Sequence, residues 1–384
     1  MRSSYHSFCC ALVVWASALV LAQTPPQGQA NTFSDFRPRR EMPREAFVGS
    51  EVCAGCHLER NRSQTRTAMA KALKSADASP VLTSHPQMNF RAGPYSYEIT
   101  RDANQSTYRV SDGNQTISEP IAYVFGNAHV AETYVLRHGG KLYEGRVSYY
   151  RAIDGLDWTV GDVLNPPPSL EAAFGRDITG DEAKNCFSCH GTGAIVEGQL
   201  ALDHLAPGVH CEACHGPGKS HTAAMISNMG GGLSILNAGN LSPDTLSQEF
   251  CGACHRSANV VGMMPDLGGI NNVRFQPYRL SGSRGHDPND PHFACTACHD
   301  PHIDLPQQGA SSDSKCTICH APKPADAALS STKKNTPRAG SSTCPVADKD
   351  CDSCHMPKVE IPGSHFKFTD HRIRIVRPEE PYPI

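Results

Sequence analysis

The pattern Cys-x-x-Cys-His occurs seven times in this chain, and no other feature limits its possible folds as strongly. The copies are Cys53/Cys56/His57, Cys186/Cys189/His190, Cys211/Cys214/His215, Cys251/Cys254/His255, Cys295/Cys298/His299, Cys316/Cys319/His320 and Cys351/Cys354/His355. Two thiols three residues apart lie on one side of a helical turn, so both can add to the vinyl groups on one edge of a porphyrin while the adjoining imidazole reaches the iron. Each motif therefore reads as a covalent haem c site, with the cysteines as attachment points and the histidine as proximal ligand. Zinc sites need two Cys-x-x-Cys pairs per metal and no His after every second Cys. A thioredoxin-like motif occurs once, in an α/β frame, and a disulfide framework does not place His after each pair.

Six motifs fall between Cys186 and His355, which leaves each about thirty residues, fewer than the ~40 that a self-sufficient domain needs even with cofactor help. Six haems must then share one core. Only 39% of the residues are hydrophobic, beside 29 prolines and 32 glycines, so the polypeptide core is thin and haem is expected to fill it. The expected fold is a mainly α and irregular multihaem cytochrome with a small β-hairpin region between the first and second motifs. Residues 95–99, 107–110, 132–136 and 142–147 alternate polar and apolar side chains around Asp112-Gly113-Asn114 and Gly139-Gly140, and read as hairpins. A helix is expected over 59–75, Pro166-Pro167-Pro168 punctuates the end of the β region, and 306–314 and 322–343 read as exposed loops.

The N-terminus has a basic start at Arg2, an apolar run from Phe8 to Leu21 and small residues ending at Ala22, which reads as a cleaved secretory signal. The expected organisation is a signal over 1–22, a linker over 23–48, the first haem with a β-rich segment over 49–180 and a six-haem domain over 181–384. No later stretch reaches the ~18 apolar residues of a membrane span. Export agrees with haem c attachment, which takes place outside the cytoplasm. Cys9 and Cys10 would leave with the signal, and Cys344 is the one cysteine left over. A net charge of −3 shows no nucleic-acid footprint, and Arg372, Arg374 and Arg377 are candidate counter-charges for haem propionates.

A second axial ligand must come from the eleven histidines outside the motifs and the signal: His85, His129, His138, His204, His210, His221, His286, His292, His302, His365 and His371. The candidate distal set is His129, His204, His210, His221, His286, His302 and His371. Reach narrows their targets. His302 lies three residues beyond His299, and at ~3.5 Å per residue that segment cannot pass round a macrocycle, so any iron it binds is a neighbour's. The same holds for His210, one residue before Cys211, and for His221, six beyond His215.

Val209-His210-Cys211-Glu212-Ala213-Cys214-His215-Gly216-Pro217-Gly218 with His221, Cys295 through His302, and Cys351 through Lys358 followed by Phe368-Thr369-Asp370-His371-Arg372 resemble the bacterial multihaem cytochromes related to cytochrome c554. That group also includes pentahaem nitrite reductases and octahaem hydroxylamine oxidoreductases. Tyr123 through His129 is similar to a segment preceding a β region in such proteins. The resemblance implies distal roles for His129, His210, His221, His302 and His371. The chain departs from the nitrite reductases, which use Lys at the catalytic haem, because all seven motifs end in His. It also departs from the eight-haem count of the hydroxylamine oxidoreductases, and no tyrosine is marked as their haem-linked one, Tyr149 and Tyr150 reading as packing residues.

The expected function is an exported carrier, periplasmic or extracellular, passing electrons through seven closely packed, mostly bis-His haems. Other redox proteins, such as a membrane quinol oxidase or a terminal reductase, are its expected partners. The alternative is an oxidoreductase acting on a small nitrogen or sulfur compound at one haem with an open position. A third, weaker reading is a module in which the β region docks a partner and the haems are passive.

Overall fold

The computed structural model describes residues 37–39, 41–161, 167–228, 234–305, 313–320, 347, 349–377 and 382. The expected signal, Cys344 and the 322–343 loop lie outside the described residues. The largest unit is a nine-stranded antiparallel sheet: Leu73–Ser75 (β1), Gln87–Ala92 (β2), Tyr95–Asp102 (β3), Gln105–Ser111 (β4), Thr116–Asn127 (β5), Ala131–His138 (β6), Lys141–Tyr150 (β7), Gly155–Trp158 (β8) and Gly175–Asp177 (β9). Strands β2 to β8 follow in chain order, β1 adds to β5 and β9 to β7. The sheet curls until its two ends meet through side chains, with Phe90 of β2 edge-on to Trp158 of β8 at 5.4 Å. The mainly α fold with a small hairpin region is therefore corrected: a large antiparallel sheet, nearly closed into a barrel, dominates the first half of the chain.

Alternation builds its interior. Tyr95, Tyr97 and Ile99 of β3, Tyr108 and Val110 of β4, and Tyr143, Val147 and Tyr149 of β7 are buried in one cluster, their strand neighbours turned outward. The curl passes through β5, whose 116–120 half pairs with β4 and whose 121–127 half pairs with β6 and β1, with a register shift between Ile121 and Tyr123. Pro120 stands at the end of the β4 pairing, where a ladder donor is dispensable. Strand β6 is buried on both faces, Tyr134 and Leu136 inside the barrel and Val135 outside it.

That outer face receives the rest of the chain. Short helices Ser50–Ala54 (α1) and Leu58–Gln64 (α2) precede the sheet, whereas Pro80–Ser84 (α3) and Leu170–Phe174 (α4) contribute Val81, Leu82, Ala173 and Phe174 to the interior cluster. The helix expected over 59–75 ends at Gln64, and 73–75 is strand β1. The next helix, Asp181–His190 (α5), sets Ala183 and Phe187 four residues apart on one face, and Phe187 stands edge-on to Tyr123 (5.2 Å) and Phe125 (5.1 Å) of β5. Beyond it come Cys211–His215 (α6), Lys219–Ile226 (α7), a π-helical turn Thr245–Cys251, Gly252–His255 (α8), Ala258–Gly262 (α9), Gln276–Ser281 (α10), Cys295–Cys298 (α11), Asp313–His320 (α12) and Cys351–His355 (α13). Residues 313 and 314, expected in a loop, open α12. Among the described residues this half holds one small apolar cluster of its own, Leu236, Leu246, Phe250 and Ala294. Gly208, just before α6, has φ +93°, and a Cβ there would collide with the Ala70 carbonyl, so only glycine lets the third motif approach the loop after α2.

Candidate functional site

Every motif sits on a short helical turn. Cys53 lies on α1, with Cys56 and His57 in the turn before α2, and the second motif ends α5. Motif three is α6, the fourth spans the end of the π turn and α8, and α11 with His299, α12 and α13 carry the last three. His57 N–H donates to the Cys53 carbonyl at 2.8 Å and His299 N–H to the Cys295 carbonyl at 3.0 Å, so the imidazole follows the thiols round one turn.

The histidines are oriented by their Nδ1 atoms. A carbonyl oxygen only accepts, so an imidazole nitrogen beside one carries the proton and leaves the other nitrogen with its lone pair. His190 Nδ1 lies 3.2 Å from Ala72 O, His215 Nδ1 2.9 Å from Leu236 O, His355 Nδ1 2.9 Å from Arg374 O and His371 Nδ1 3.0 Å from Thr369 O. In each, Nε2 is left to face a metal. Burial pushes His190 and His255 below the usual histidine range and His371 down to about 4, which keeps those rings neutral and able to ligate.

Among the described residues, three motif histidines face a histidine from elsewhere. His57 and His221 have ring centres 6.4 Å apart, His215 and His302 6.0 Å, and His299 and His371 6.2 Å. An imidazole nitrogen binds a metal at about 2 Å and the ring centre lies about 1 Å behind it, so two imidazoles on opposite faces of one iron have centres about 6 Å apart. The residues therefore fit haem. The partners also follow a rule: the first, third and fifth motifs each face a histidine supplied just after the third, fifth and seventh. His302 stands across from His215 and not beside its own motif's His299.

His210 donates Nε2–H to Pro207 O at 2.7 Å, leaving a buried Nδ1 without a hydrogen-bond partner. His129 is exposed in the turn between β5 and β6, His204 stands 3.7 Å from Asp203 and His286 lies edge-on to Phe293. His85, His138, His292 and His365 are paired with Asp154, Glu119, Asp290 and Asp157. Tyr149 and Tyr150 donate to Asp154 and to the Trp158 carbonyl. Arg374 is committed to Asp370, and Arg372 Nε to the Gly282 carbonyl.

Motifs also touch one another. The thiols of Cys53 and Cys211, Cys189 and Cys254, Cys251 and Cys295, and Cys316 and Cys351 are neighbours, each pair joining two motifs. Cys214 and Cys251 pack on one apolar cluster, and Cys316 lies near enough to Cys298 to feel its charge. The second cysteines of the last two motifs stand differently. Cys354 of α13 is exposed, and its sulfur accepts from Ser353 Oγ at 3.7 Å, a contact inside its own motif that joins it to no other. Cys319 falls within α12, but its side chain lies outside the described residues, and its expected attachment role rests on its place in the motif.

Polar side chains lock the contacts between motifs. Glu212, inside the third motif, accepts from Val48 N–H (2.9 Å) and Gly49 N–H (2.8 Å) at the start of α1, and from Gly218 N–H (2.8 Å). Asp313 of α12 accepts from Asp350 N–H and Cys351 N–H, both at 2.8 Å, and so caps α13. Arg39 bridges the second and fourth motifs through Asn185, Ser188 and the Ala253 carbonyl. Apart from the Glu212–Gly218 bond, six residues apart, none of these roles is visible in the sequence, because the partners are tens to hundreds of residues away.

Residues 169–216, which include the second and third motifs, match the family model described as cytochrome c554 and c-prime. This supports a c-type cytochrome. Haem binding and electron transfer are the activities that go with it. No curated protein matches the chain. A solved structure, the crystal structure of the outer cell wall cytochrome OcwA, is similar at 18% identity and a TM-score of 0.30, over 55% of this chain. The chain spans 37% of the length of that protein. Among the described residues no helix is long and apolar enough to cross a membrane.

Proposed function

We propose that this chain is an exported electron carrier holding seven covalent haems, most of them with two histidine ligands. The observation that carries the reading is the spacing of the three histidine pairs, 6.0 to 6.4 Å, each joining a motif histidine to one from another motif's segment. One-electron exchange at iron is the chemistry that haem c supplies. What the chain contributes is order and distance. The motif contacts run first to third, third to fourth, fourth to fifth, fifth to sixth and sixth to seventh, with the second joined to the fourth through Cys189, Cys254 and Arg39. Thioether sulfurs mark the edge of each macrocycle, so neighbouring sulfurs imply neighbouring haem edges. The second motif, docked on the barrel through Phe187, would then be a side branch, with the first and seventh at the two ends.

Partners are other redox proteins reached at those ends. Electron paramagnetic resonance of the ferric protein tests the reading: low-spin signals for most haems are expected, with at least three surviving in nitrite or hydroxylamine. Predominantly high-spin iron that shifts with either compound would overturn it in favour of an enzyme.

A further inference from the structure

The two imidazoles that flank the third motif's iron position have different partners. His215 Nδ1–H donates to a neutral carbonyl, Leu236 O, at 2.9 Å, whereas His302 Nδ1–H donates to the Asp300 carboxylate, Oδ1, at 3.0 Å. His371, across from the fifth motif's His299, again donates to a carbonyl. Asp300 is itself held in place by further donors. Its Oδ1 also accepts His302 N–H at 2.9 Å, and its Oδ2 accepts from Arg60 Nη1 at 3.1 Å, a residue of α2 just beyond the first motif. A carboxylate on the far nitrogen makes an imidazole a stronger electron donor, and a stronger donor favours ferric over ferrous iron.

We propose that Asp300 tunes the haem of the third motif through His302, lowering its potential, and that Arg60 moderates this effect from the neighbouring motif. The inference rests on the proposed haem ligation. Arg60 is 62% exposed, so water screens its charge and its influence is the smaller. A low-potential haem next to the first motif would slow electrons arriving from that end, and the carboxylate sets how much.

Potentiometric titration of the holoprotein followed by electron paramagnetic resonance tests it, using D300N, R60A and H302A. H302A identifies the haem by converting one low-spin signal to high spin. D300N should raise the midpoint of that same haem while it stays low-spin, and R60A should lower it by less. Unchanged midpoints in D300N overturn the inference, and so does conversion of that haem to high spin, since Asp300 would then only hold His302 in place. Counting covalent haems on the unsubstituted protein separates the two levels: no haem defeats the carrier reading, whereas full haem with unmoved midpoints defeats this one alone.

Discussion

Replacing Arg279 by Met should loosen the segment that brings His371 to the fifth motif. Arg279 and Asp370 are 2% and 0% exposed, and the guanidinium grips the carboxylate with Nε at 2.8 Å and Nη2 at 2.9 Å. Removing one partner of a buried ion pair costs about 3–5 kcal/mol, because the other charge stays buried. Asp370 keeps Arg374 Nη1 at 2.6 Å and Arg372 N–H at 3.0 Å, so the lower end, about 3 kcal/mol, applies. His371 follows Asp370 directly, and under the proposed ligation cyanide would bind the fifth motif's iron only when that histidine swings away. A local opening made easier by about 3 kcal/mol raises its population roughly a hundredfold, and the cyanide-binding rate of one haem, read by stopped-flow absorbance, should rise by about that factor. The double variant R279M/D370N removes both charges and should recover most of the loss. A rate within threefold of the unsubstituted protein, or a double variant no better than the single one, would refute the reasoning.

Two further outcomes follow from the same geometry. H221A should convert one haem to high spin while all haems remain attached, and the protein with C53S and C56S added should lose that signal, because the His221 ring faces His57 of the first motif. Glu212→Ala strands three backbone N–H donors near buried positions and should cost about 3 kcal/mol or more in urea denaturation, with Glu212→Gln costing less because it keeps an acceptor.

The helical turns that carry the seven motifs were legible because they are local: five consecutive residues specify two thiols and an imidazole on one turn. That His302 and His221 stand across from other motifs' histidines was also readable in part, since chain length keeps each from the far side of its own motif's macrocycle. Their targets were not, because His57 meets His221 and His215 meets His302 only after distant segments fold together. The same distinction explains the missed barrel. Alternation in 95–99 and 142–147 marked single hairpins, whereas Pro120 and Gly126 disguised β5, the strand through which the sheet curls. Closure by Phe90 and Trp158 is a contact between the sheet's ends, with no local signature. Val135, buried on the outer face by α5, similarly hides in a run of apolar residues.

The most direct measurement is the mass of the denatured polypeptide after expression in a host that attaches haem c. The expected mass is that of the amino acids plus seven haem groups, with stepwise loss of one for each Cys-x-x-Cys-His converted to Ser-x-x-Ser-His. A chain carrying no added mass, or fewer than seven groups with all seven motifs intact, would contradict it.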